Sequence, residues 1–316
     1  MALICYFCAP ENGMGMETIL IKAFSFVLII FGAALLRKAG FFKAGDFSLL
    51  SDIVLKITLP CAVISNFSRT SVELSLFYLV PLGVLCNLVT IGLGYLSSPH
   101  DRQRRAFNMI NLSGYNIGCF TMPYIQSFLG PSGAIATCLF DAGNSLMCTG
   151  ATYPMAAAVA GVGEKSGVRV FLRRMFSSVP MDTYIIMVVL SLLDVRLPHI
   201  VTSFTDIVGS ANSFLAMAMI GIGFEVHLER SKLLHIGGIL LCRYAVALVM
   251  GAAFWCLAPF SDEIRKILLV ISFAPMSAVC AIFTSRCSGD VAMSCTVNSL
   301  SIIISIVFMT LIMVVF

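Results

Sequence analysis

Ten stretches of about twenty apolar residues follow one another along this chain, separated by short polar loops. A helix crossing a bilayer needs about that length, because the hydrocarbon core is ~30 Å thick and each backbone amide inside it must find a partner within the segment. The stretches lie near 18–36, 47–67, 74–96, 106–129, 134–160, 175–193, 201–224, 233–258, 264–283 and 291–316. They predict an all-α polytopic membrane protein of ten transmembrane helices, with no loop long or polar enough to fold as a soluble domain. Composition excludes the soluble alternative: 59% of the 316 residues are hydrophobic and 11% are charged. A water-facing surface uses about 25%.

Orientation follows from the basic residues, which are retained on the cytoplasmic side. The first, third, fifth, seventh and ninth loops carry thirteen: Arg37, Lys38, Lys43, Arg102, Arg104, Arg105, Lys165, Arg169, Arg173, Arg174, Arg230, Lys232 and Arg286. The opposite loops carry four, Arg69, Arg196, Arg265 and Lys266, while Lys22, Lys56 and Arg243 lie within spans. Both termini are therefore expected outside, in keeping with an even number of spans. The basic fifth loop, 162–178, separates a first five-helix unit (17–161) from a second (179–316) that starts on the other side of the membrane. That is the arrangement of an inverted repeat enclosing a site near the midplane. Residues 1–16 form a short patternless segment that a start codon assigned too early would explain. No cleavable signal peptide is expected, because Lys22 lies inside the first run and not before it.

Several function classes drop out. The net charge of +4 is spread thinly, with no basic run to follow a phosphate backbone, so nucleic acid is not an expected partner. The twelve cysteines fall mostly singly in apolar stretches and imply no disulfide framework; Cys5 and Cys8, the one close pair, have no companion ligands. His100, His199, His227 and His235 lie in loops or at span ends, and there is no HExxH, GxSxG or phosphate-binding glycine loop. Neither an enzyme nor a nucleotide-driven pump is expected.

The candidate site comes from irregularities in matching spans. The fourth carries Gly114, Gly118 and Pro123, and the ninth carries Pro275, which predicts two helices broken near Pro123 and Pro275 with a binding site between them. Asn116 offers a donor and an acceptor beside the first break, for substrate or for interhelical packing. Asp141 and Asn144 share a face of the fifth span, where Asp141 could carry a proton, hold a cation or close a salt bridge. Lys56, ~13 Å into the second span, has Asp52 four residues before it, as a structural ion pair or a substrate counter-charge. Arg243 carries the same two readings, but if its helix begins at Ile239 it simply snorkels to the cytoplasmic edge, which is the expected outcome. Ser277 and the line Asn298, Ser299 and Ser301 add neutral hydrogen-bonding groups near the second break.

These residues resemble the auxin efflux carrier family, which includes bacterial permeases for malonate, malate and similar anions and the plant auxin exporters. The resemblance runs from Met16 onward. It rests on Leu59-Pro60, on Asn116-Ile117-Gly118-Cys119-Phe120 with Pro123, and on Phe140-Asp141 with Asn144. Further along it rests on Ile220-Gly221, Ala274-Pro275 and Ser299 to Ser305. It implies two inverted five-helix repeats with crossing, broken fourth and ninth helices, and a substrate carboxylate directed to the crossover. The chain departs from the family pattern at Cys119 and at Thr121 to Met122, which leaves substrate size open; the expected substrate contacts are Asn116, Thr121, Asn144, Ser277 and Asn298. It lacks the long cytoplasmic loop of many plant members and is closer to the compact bacterial type. The implied function is secondary transport of a small organic anion, a mono- or dicarboxylate or an auxin-like weak acid, across the cell membrane by alternating access. The alternative is a non-transporting sensor or scaffold of the same fold. Expected partners are the anion and the lipid bilayer, with a homodimer left open; no cofactor or metal is expected, and coupling to protons or sodium is open.

Overall fold

The computed structural model describes residues 15–43, 45–70, 73–162, 178–227 and 229–316, and all regular structure among them is helical. In chain order the helices are α1 (Met16–Lys38), α2 (Asp46–Phe67), α3 (Leu74–Leu96), α4 (Arg102–Leu112), α5 (Met122–Ser145) and α6 (Thr152–Ala160). There follow α7 (Val179–Leu192), α8 (His199–Ile222), α9 (Arg230–Leu257), α10 (Asp262–Ser272), α11 (Cys280–Arg286) and α12 (Val291–Val315). Six of these, α1, α2, α3, α8, α9 and α12, are long and apolar enough to cross a membrane. The outward faces carry Phe24, Phe31, Ile207, Leu234, Leu241 and Val249, where a water-soluble bundle presents charge. This is the build of a membrane-embedded helical protein.

The other predicted spans are not single long apolar helices. The fourth stops at Leu112 and resumes in a π turn at Ile117–Thr121 that leads into α5. Its break is at 113–116, and not at Pro123 as the sequence suggests. Pro123 sits in the first turn of α5, where a missing N–H leaves no hydrogen bond unmade. The ninth is broken at 273–279, around Pro275 as expected. Between the fourth and the fifth, α5 turns sharply at Gly130, whose φ of 63° and ψ of −155° only glycine adopts without strain, and the fifth then runs on through a π turn (Leu146–Ala151) into α6. The sixth is a 14-residue helix, α7. Cys5, Cys8 and the basic residues Lys165, Arg169, Arg173 and Arg174 lie outside the described residues.

Three π turns share one cause. Val54–Thr58, Ile117–Thr121 and Leu146–Ala151 each precede a proline, namely Pro60, Pro123 and Pro154. A proline ring clashes with the carbonyl four residues back, here Lys56, Cys119 and Gly150, and each of those carbonyls lies inside the widened turn that makes room for it.

Two pairs of helices are built alike. α4 packs on α3, and α10 on α9. Both α4 and α10 are 11 residues long, capped by Asp101 accepting from the Arg104 N–H and by Ser261 accepting from the Ile264 N–H. One turn in, Arg105 Nε donates back to the Ser98 carbonyl (3.2 Å) and Arg265 Nε to the Ala258 carbonyl (2.9 Å), with Pro99 and Pro259 directly after those carbonyls. Around them α3 and α5 close to backbone contact: a Cβ on Gly83 would run into the Phe140 carbonyl, and one on Gly143 into that of Val80.

Candidate functional site

The two breaks meet. The Asn116 N–H donates to the Pro275 carbonyl across them (2.9 Å). Gly114 allows the approach: at φ 75° it turns the chain, and a Cβ there would meet Cys148 Sγ at 2.9 Å and Ser277 Cβ at 3.1 Å. The helices that run into the breaks, α4 and α10, end with carbonyls that have no partner within their own helix, where the backbone dipoles are negative.

Arg243 of α9 satisfies both ends. Its guanidinium donates to the carbonyls of Leu112 (2.8 Å), Gly114 (2.9 Å) and Ala274 (2.9 Å), and its Cζ lies 5.3 Å from the centre of the Tyr115 ring. The side chain is 5% exposed. This corrects the expectation that Arg243 snorkels: the helix begins at Arg230, not Ile239, so the residue stands more than three turns inside it. The planar fork suits three carbonyls held at fixed angles, which the point charge of a lysine does not.

On its other side the first break is clasped by asparagines. Asn87 Oδ1 accepts from the Gly114 N–H (3.0 Å), and Asn144 Oδ1 accepts from the Tyr115 N–H (3.1 Å) and from Asn87 Nδ2 (3.1 Å). Asn144 Nδ2 donates to the Tyr115 carbonyl (2.9 Å) and to Asp141 Oδ1 (2.8 Å). Tyr184 of α7 donates to Asp141 Oδ2 (3.0 Å). At the second break the Met276 N–H donates to Ser301 Oγ (3.2 Å), whose hydroxyl donates to the Asn298 carbonyl (2.7 Å). Farther along, Asn111, Thr284 and Ser294 join α4, α11 and α12.

No protein-family model and no curated protein matches this chain.

Of the residues singled out in the sequence, the fold gathers Asn116, Asn144, Asp141, Gly118, Pro275 and Ser277 at or beside the meeting point. Asn116 is buried, and its side-chain amide makes no hydrogen bond to the described residues. Gly118 lies in the π turn just after it, where a Cβ would stand 3.9 Å from Asp141 Oδ2 and 3.1 Å from the Leu59 side chain. The Thr121 hydroxyl is occupied by the Asn116 carbonyl (3.1 Å). Asn298 is attached through Ser301, and its buried Oδ1 has no partner. Pro123 stands seven residues beyond Asn116, inside the helix. Asp52 and Lys56 form their ion pair (2.9 Å) but are each 58% exposed, so the structural reading of that pair fits better than a deep counter-charge. Among the described residues no group of His, Cys, Asp and Glu is arranged to hold a metal.

Sequence reasoning passed over Asn87, Tyr184 and the true role of Arg243. Asn87 left one usable signal, a lone amide in the middle of an apolar run. Tyr184 left none, since a tyrosine in a span is ordinary packing.

Proposed function

We propose that this protein is a secondary carrier for a small organic anion, working by alternating access in the cell membrane. The observation that carries the reading is the junction of two broken helices in the buried core, tied by the Asn116 to Pro275 hydrogen bond and by one arginine that caps both ends. Irregular backbone at membrane depth is tolerated where protein or a cavity satisfies it, and such breaks are where carriers bind. An anion suits the place. Arg243 is a buried cation with no carboxylate bonded to it among the described residues, and the Asn116 amide sits free at the start of the π turn that opens α5.

Topology supports the same reading. Adding the broken segments to the six long helices gives ten crossings: α4 with the first arm of α5, the second arm of α5 with α6, α7 alone, and α10 with α11. The matched caps, prolines and arginine back-bonds of α3–α4 and α9–α10 fit two copies of one five-helix unit, and the sign of the loop charges inverts the second copy. Both termini then face outward. This is the architecture of the auxin efflux carrier family that the sequence resembles, with the compact bacterial permeases for dicarboxylates as the nearer analogue.

Flux separates a carrier from a sensor or scaffold. Purified protein in liposomes is expected to take up labelled malonate, malate or pyruvate, and Asn116→Ala to lower that uptake at least tenfold while the protein stays monodisperse. No flux of any of these acids, or wild-type flux in the variant, removes the crossover as the binding site.

A further inference from the structure

Asp141 and Arg243 are the only ionisable acidic or basic side chains buried among the described residues, each 5% exposed. They do not touch. Between them lies the first break: Arg243 holds the Gly114 carbonyl, and Asp141 reaches the Tyr115 carbonyl through Asn144. The empty core is thus balanced, one cation against one anion. An anion bound at Asn116 and the π turn upsets that balance and meets the Asp141 carboxylate, whose Oδ2 lies beside Gly118 in the same turn. Uncompensated charge in so dry a place is strongly disfavoured. Resting on the carrier reading above, we propose that Asp141 takes up one proton with each substrate anion, so that the protein is a proton-coupled carrier.

The surroundings choose a proton over a metal cation. Both carboxylate oxygens face hydrogens, the Asn144 amide on Oδ1 and the Tyr184 hydroxyl on Oδ2, and the Ser145 hydroxyl also donates to the carboxylate. The amide orientation is fixed, because Asn144 Oδ1 already accepts from the Tyr115 N–H. A sodium ion needs oxygen lone pairs turned toward it, and those of Asn144 are taken. A proton needs one acceptor. Tyr184 provides it: with the carboxyl protonated on Oδ2, the hydroxyl rotates from donor to acceptor while Oδ1 keeps its bond from Asn144. The proton comes from the solution to which the site is open and returns to the solution on the other side, with no other bond made or broken. The remaining titratable groups near the carboxylate are thiols, Cys119 on the π turn and Cys138 and Cys148 on its own side of the bundle. Lys56 on α2 is exposed and paired with Asp52, so Arg243 alone supplies fixed positive charge.

The test uses proteoliposomes with the membrane potential clamped at zero, labelled malonate outside and a pH dye inside. One proton per anion predicts that an inward proton gradient of one pH unit raises steady-state malonate accumulation about tenfold, that the dye records proton entry with uptake, and that an equal sodium gradient does nothing. Asp141→Asn is expected to leave no dependence of the residual flux on the proton gradient. Malonate uptake that ignores pH, with a silent dye, overturns the coupling and leaves the carrier standing. Stimulation by sodium alone overturns it in favour of a cation site. If malonate, malate and pyruvate all fail to move, infrared spectra of the purified protein still decide. A protonated-carboxyl band that appears on acidification and vanishes in Asp141→Asn supports a titrating Asp141, and its absence throughout the stable pH range refutes one.

Discussion

The two breaks are entered by helices of one design and held by different means. The first is clasped by side-chain amides: Asn87 and Asn144 take the N–H of Gly114 and both backbone groups of Tyr115. The second has a proline, which offers no N–H, and a single hydroxyl, Ser301, on the Met276 N–H. Arg243 donates to carbonyls of both. The first break is therefore the fixed side of the junction and the second the looser one, and the arginine is the piece whose loss damages the two together.

The largest effect is expected from Arg243→Leu. It strands three buried carbonyls, each at about 1–3 kcal/mol, so size-exclusion profiles in mild detergent should show little folded protein. Arg243→Lys should recover part of it, since one ammonium can reach some of those carbonyls but lacks the fork. A well-folded leucine variant would mean that the arginine does not hold the junction.

The difference between the breaks is tested by a matched pair. Asn144→Ala leaves the Tyr115 N–H and carbonyl unbonded and is expected to cost about 2–4 kcal/mol, while Ser301→Ala strands one N–H and should cost about 1 kcal/mol. Thermal unfolding of the two variants in the same detergent reads the ratio. Equal losses would erase the distinction between a fixed and a loose side.

The smallest effect lies where the last helix of each half begins. In the first half the chain turns at Gly130 with no acidic cap. In the second, Asp290 caps α12 through the Met293 N–H (2.9 Å) and pairs with Lys232 (2.6 Å). The Lys232 ammonium beside it, followed by the Met293 amide, holds the Asp290 carboxyl below its usual range. A depressed carboxylate stabilises the fold above its unfolded value, near pH 4, and that contribution is lost as the pH falls through the lower folded value. For a partly exposed pair this is about 0.5 kcal/mol. Asp290→Asn should flatten the acid limb of the unfolding curve by that amount and leave the neutral limb slightly lowered; an unchanged acid limb would show that the pair contributes nothing.

Much of the fold was legible because lipid imposes a length on every crossing. The long apolar runs at α1, α2, α3, α8, α9 and α12 were located to within a few residues, and the break around Pro275 was legible because the proline lies in it. The first break was misplaced onto Pro123, since nothing local marks Ser113–Asn116 except Gly114; what opens the helix there is the pair of asparagines on α3 and α5, far apart in sequence. Arg243 was misread for a similar reason. Its depth depends on where α9 starts, and the polar residues Arg230 to Lys232 already belong to that helix. Asn116, Asn144 and Asp141 were found because polar groups in apolar runs are few. Their partners could not be, because a contact between distant segments leaves no local trace.

The prolines behind the three π turns have a mechanical consequence. A π turn in a proline-free helix can anneal, letting the extra residue travel along the rod. Here the ring stands where the carbonyl of an α turn would have to go, at Pro60, Pro123 and Pro154, so the bulge cannot migrate past it. These bends are permanent set in the material, not springs. The segments that carry Thr58, Thr121 and Cys148 are thus pre-bent levers, and any compliance belongs to the joints between them.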